Sequence, residues 1–73
     1  MKFIEISGTV LKKLLSADEI KELGGAGVRD DSEIRINPQG DIELRQGNSW
    51  TVIGGLLGDY QGRIKRLTGL EWN

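Results

Sequence analysis

The 73-residue chain has no cysteine and no histidine, which excludes disulfides, zinc held by those ligands, and catalysis by thiolate or imidazole. Without either staple the hydrophobic core must hold the fold unaided. A chain this short buries roughly 60 to 65% of its unfolded surface, so modest stability is expected. Long apolar runs are also missing: VIGGLL at residues 52–57 falls far below the roughly 18 residues needed to span a bilayer. Glu5, Lys12 and Lys13 lie where the apolar centre of a secretory signal would run, so the expected location is cytoplasmic, with no membrane partner. Excess positive charge is lacking too, since a formal net charge of −1 offers no global attraction to nucleic acid or anionic lipid. There is a single proline, and no repeat, low-complexity tract or linker interrupts the chain, so residues 1–73 read as one domain.

What is present is an ordinary globular balance, 37% hydrophobic and 29% charged, and the chain is expected to fold. Residues 3–7 (FIEIS) are rich in β-branched and aromatic side chains and stop at Ser7-Gly8, which predicts a first strand. In TVLKKLLSADEIKEL, Val10, Leu11, Leu14 and Leu15 share one helical face while Ile20 and Leu23 point elsewhere. One straight helix fits this poorly. Ser16-Ala17-Asp18-Glu19 is a capping box, in which the Ser16 hydroxyl and Glu19 carboxylate accept from each other's main-chain amides at a helix start. Two short helices are therefore expected, near 9–15 and 17–23, with Gly24 ending the second and GGAGVRDDS connecting onward.

The run EIRINPQGDIELR is a β-hairpin. A three-residue Pro38-Gln39-Gly40 loop sets Ile36 opposite Ile42 and Ile34 opposite Leu44. On the other face the same register sets Arg35 opposite Glu43 and Glu33 opposite Arg45, read as a solvated surface. After the turn at residues 46–49, residues 50–53 can extend the meander or begin the last helix; their tryptophan and β-branched side chains favour a strand. Ile53, Leu56, Leu57, Tyr60, Ile64 and Leu67 then lie within about 100° on a helical wheel, predicting an amphipathic helix near 55–68. Gly69 would stop it in a Schellman end, with Leu70 folded back on Ile64. The predicted fold is α+β in the order β-α-α-β-β-β-α, an antiparallel sheet packed against a C-terminal helix and two short N-terminal ones.

Chemistry finds little purchase on this inventory. The glycines of WTVIGGLLGDYQGRI miss the spacing of a dinucleotide loop, which would need glycine at Ile53, and no GxxxxGK is present. Gly55-Leu56-Leu57-Gly58 matches a bare GxxG, but its two leucines belong to the core stripe and cannot meet phosphates. Tyr60 reads as a core residue with its hydroxyl at the rim. Asp30, Asp31 and Glu33 form a dense carboxylate group without calcium-loop spacing, and read as turn or capping groups. No enzyme activity, metal or cofactor is expected.

Two functional expectations remain, and no family motif decides between them. Two short helices before a hairpin resemble a winged helix-turn-helix in element order alone, yet ADEIKEL carries a net charge of −2 and would be repelled by a DNA groove. Nucleic-acid contact would have to fall to Arg63, Lys65 and Arg66, which also suit the C-terminal helix dipole. The favoured expectation is a non-catalytic protein-interaction or assembly module. Gly54, Gly58 and Gly62 recur every fourth residue and, with Gly55, lie opposite the apolar stripe, offering a face for a close backbone neighbour or a second copy. Trp72, next to the C-terminal residue, would be an anchor if exposed.

Overall fold

The computed structural model describes residues 2–23 and 27–72. Its elements run β1 (Ile4–Ser7), α1 (Gly8–Leu14), α2 (Ala17–Glu22), β2 (Glu33–Ile36), β3 (Asp41–Gln46), β4 (Ser49–Gly55) and α3 (Tyr60–Thr68). The strands form one antiparallel sheet in the order β1-β2-β3-β4, the α+β architecture expected from the sequence.

Register follows from side-chain alternation. Ile4 pairs with Ile36 and Ile6 with Ile34 between β1 and β2; Ile34 pairs with Leu44 and Ile36 with Ile42 between β2 and β3. These isoleucines and Leu44 line one face, and Leu11, Leu14, Leu23, Leu56 and Ile64 cover it from the helices and their flanks. All three helices thus pack on one side. Around the hairpin loop, Asn37 Oδ1 accepts from the amides of Gln39 and Asp41 at 3.0 and 2.9 Å, and Gly40 sits at φ +88°. That is the three-residue loop with a left-handed glycine, and it sets the predicted pairing.

The helix boundaries divide into those set locally and those that are not. Ser7 caps α1 by accepting from Val10 N, and the Ser16/Glu19 capping box starts α2. Gly24, the expected stop of α2, lies outside the described residues. At the other end of the chain the prediction needs correcting, because α3 begins at Tyr60 and not near residue 55. Gly54 and Gly55 continue β4, pairing with Ile42 and Asp41, and a bulge lets Ile53 stand extra between Val52 and Gly54. Gly58 then takes φ +65°, which no helix interior allows, and the Asp59 side chain caps α3 by accepting from Gly62 N at 3.1 Å. Leu57, placed on the core stripe by the wheel, is exposed in consequence, and Leu67, although inside α3, is exposed as well. The helix ends as expected at Gly69, with φ +76°, but in the αL form: Gly69 N donates to Lys65 O at 2.8 Å and Leu70 N to Thr68 Oγ1. Leu70 is exposed and does not close a Schellman end.

Candidate functional site

The glycine face dissolves once α3 starts at Tyr60, because its three members lie in three different settings. Gly54 is in β4, where a Cβ would stand 2.6 Å from Leu23 Cδ2; its close neighbour is this chain's own α2 terminus. Gly58 is in the junction with open space around it. Gly62 is in the first turn of α3, its Cα facing the capping carboxylate of Asp59. Trp72, for its part, turns back onto the core. Its Nε1 donates to Ile36 O at 2.9 Å, and its ring meets Tyr60 edge-on with centroids 5.8 Å apart. Tyr60 is half-buried, and its hydroxyl donates to Pro38 O at 2.8 Å.

The basic cluster is also separated. Arg63 points inward to Glu19, whose carboxylate is 1% exposed. Arg63 Nη1 donates to Oε1 at 2.8 Å and Nη2 to Oε2 at 3.0 Å, a bidentate fork. The remaining capacity of both carboxylate oxygens is taken by main-chain amides, Ser16 N on Oε1 at 2.8 Å and Leu57 N on Oε2 at 2.6 Å. The guanidinium reaches further to Leu14 O and Leu57 O. The bound guanidinium holds the Glu19 carboxyl well below the usual carboxylate range, and the Ser16 and Leu57 amides lower it further against the opposing effect of burial. Glu19 keeps the Arg63 guanidinium protonated in return. Lys65 meets Glu71 at 2.9 Å, and Arg66 lies 4.0 Å from Asp59. Each of the three cations proposed to meet phosphates therefore already faces a carboxylate, and Arg63 is committed to the interior.

The uncovered face of the sheet carries the other polar constellation. Arg35 bonds Glu43 through Nε and Nη2, at 3.1 and 2.9 Å, and its guanidinium carbon lies 4.0 Å from the Phe3 ring centroid and 4.3 Å from that of Trp50. The planar cation is clamped between two aromatic faces. Glu43 is buried, so this part of the hairpin's charged face is not the solvated surface expected. The outer pair of the hairpin does behave as expected, Arg45 meeting Glu33 at 2.8 Å on an exposed surface; away from the hairpin, Lys12 meets Asp30 at 3.0 Å, a pairing the sequence did not indicate. Among the described residues, no group of three or more acidic side chains could hold a metal ion, and no helix is long and apolar enough to cross a membrane.

The sheet has two edge strands, β1, which carries Glu5, and β4. Ser49, Thr51 and Val52 of β4 are exposed, Val52 by 61%, and β4 contains neither a charged residue nor proline. The tryptophan and β-branched side chains of residues 50–53 indicate a strand but do not distinguish an edge strand from an inner one. Only the sheet order shows it. The Glu19–Arg63 pair was likewise out of reach, because the two residues are 44 apart in sequence and each already had a local explanation, one as a cap and the other as a dipole partner. Compared with protein-family models, curated proteins and solved structures, the chain matches none of them.

Proposed function

We propose that the protein is a non-catalytic interaction module that binds an extended peptide segment along the free edge of β4. One observation carries this reading: the longest strand of the sheet is an edge strand with no charge and no proline. An edge strand presents a row of main-chain donors and acceptors, and proteins that have no use for it usually blunt it with lysine, proline or a covering element. Here only the bulge at Ile53 interrupts it. The polar groups that could have served chemistry are engaged elsewhere, Glu19 with Arg63, Glu43 with Arg35, and the Tyr60 hydroxyl with Pro38. Such a module works by adding a strand to its sheet, with main-chain bonds supplying affinity and alternate side chains supplying selectivity.

Selection of a displayed random-peptide library on the immobilised protein tests the reading. Enriched peptides should perturb the amide signals of residues 49–53 and lose binding on Val52→Pro, with the fold checked by the remaining signals. Perturbations confined to other surfaces, or no enrichment at all, would count against it.

A further inference from the structure

We infer that the segment seated on β4 is β4 of a second copy, so that two sheets join antiparallel about a two-fold axis at Thr51. This rests on the reading of the β4 edge as the docking element, and adds to it the partner and the register. A two-fold interface must be complementary to itself, so a charge on the axis would face its own copy and like charges placed symmetrically about it would meet. SWTV, residues 49–52, avoids this, having no charge to repeat.

The register follows from the turn. Gly47-Asn48 is a two-residue loop with Gly47 at φ +63°, closing on the pair Gln46–Ser49. In such a hairpin the closing pair exchanges its main-chain bonds and successive pairs alternate. Ser49 and Thr51 therefore bond inward to β3, while the main-chain groups of Trp50 and Val52 point to the open edge. Antiparallel pairing centred on Thr51 sets Trp50 of each copy opposite Val52 of the other, which are the two residues whose donors and acceptors are free to meet. It forms four hydrogen bonds, two in each Trp–Val pair. The same register puts an aromatic beside a β-branched side chain on the uncovered face and threonine beside threonine on the other, both favourable cross-strand pairs. Trp50 is held for this by its stack on Arg35.

Charge agrees with the register. Val52 pairs with Glu43 and Trp50 with Arg45 across β3 and β4. Each row through the joined sheets then reads Glu43, Val52, then Trp50 and Arg45 of the second copy, with opposite charges at its flanks. The bulge at Ile53 ends the pairing beyond Val52 and confines it to these few residues. So short a seam falls below the size of a standard stable interface, which sets the dissociation constant in roughly the micromolar to millimolar range.

Sedimentation across a concentration series up to about 2 mM should show the mean mass rising from 8.1 kDa toward twice that value. Thr51→Lys and Thr51→Glu place like charges directly opposite each other at the axis, and each variant alone should stay monomeric. Mixed in equal amounts, they should recover the dimer, since lysine then faces glutamate. That recovery is specific to a two-fold at Thr51. A wild type that stays monomeric to the top of the series overturns the inference, while peptides selected on β4 would leave the docking reading intact. Dimers that persist in both variants alone would overturn it as well, by showing that another surface joins the copies.

Discussion

Arg63→Ala should be among the most damaging single substitutions in this protein. It leaves the Glu19 carboxylate, 1% exposed, without its bidentate partner and with only the Ser16 and Leu57 amides to stabilise its charge. Breaking a buried ion pair from one side costs about 3–5 kcal/mol, because the remaining charge is buried uncompensated. A 73-residue domain has a total stability of roughly 4–11 kcal/mol. The loss is therefore about a quarter of the total or more, and in urea, at about 1 kcal/mol per molar, it lowers the unfolding midpoint by about 3–5 M. Glu19→Gln is the gentler probe, since the amide keeps the shape and one accepting oxygen, and it should cost about 1.5–3 kcal/mol at neutral pH through loss of charge-assisted bonds.

Acid distinguishes the pair from simple packing. The Glu19 carboxyl is lowered in the folded state, so the unfolded chain takes up its proton first as pH falls. The stability it contributes is fully present above about pH 5 and is lost progressively below that, as pH approaches the lowered folded value. The difference between wild type and Glu19→Gln, measured by urea unfolding from pH 7 down to about pH 3, should accordingly shrink. A difference that stays constant with pH, or an Arg63→Ala cost under about 1 kcal/mol, as for a surface pair, would refute this account of the interior.

Three further substitutions probe the junctions. Gly58→Ala should destabilise by about 1–2 kcal/mol, since φ is +65° although nothing crowds the site; a helix-interior glycine would instead be stabilised by alanine, so the sign of the Tm shift decides. Gly54→Ala should cost about 1–3 kcal/mol, because Leu23 must move from a position 2.6 Å from the new Cβ; an unchanged denaturation midpoint would show that Leu23 is not wedged there. Trp72→Phe keeps an aromatic against Tyr60 but removes the bond to Ile36 O, and should lower stability by about 1 kcal/mol; no change in urea unfolding would mean the indole nitrogen is satisfied equally by water.

Legibility in the sequence tracked how local the determining physics is. The hairpin was readable because its register is set within thirteen residues, by a Pro-Gln-Gly loop and a strict alternation that a one-residue slip would invert. The capping box at Ser16 and Glu19 was readable for the same reason. The start of α3 was not. Ile53, Leu56, Leu57 and Tyr60 happen to fall at helical spacing, and the wheel cannot register that a bulge and the left-handed Gly58 break the path between them. Three of the proposed contacts, Gly54, Gly58 and Gly62, depended on that helix and separated with it. Burial of Glu43 was not legible because it comes from Phe3 and Trp50 closing over Arg35, side chains from the residue before β1 and from β4.

The missing staples and the location of the polar residues are connected. Helices of seven and six residues, α1 and α2, are too short to persist alone, and a small core gives them few apolar anchors. Glu19 and Arg63 supply the tie that a disulfide or zinc ion supplies in other small domains. Their bonds join the end of α1 at Leu14, the start of α2 at Ser16, the junction at Leu57 and the first turns of α3. A charge used in this way is withdrawn from the surface, and Arg63 cannot both hold Glu19 and neutralise a phosphate. On the proposed reading, binding draws on what the fold has not consumed. On the helical side Trp72 packs internally and only single apolar side chains such as Ile20 of α2 and Leu67 of α3 stay exposed, whereas β4 offers along its outer edge main-chain groups that no other described strand pairs with. The edge that a self-protecting sheet would have charged is the one left neutral, and that neutrality is what allows a strand of its own sequence to lie beside it.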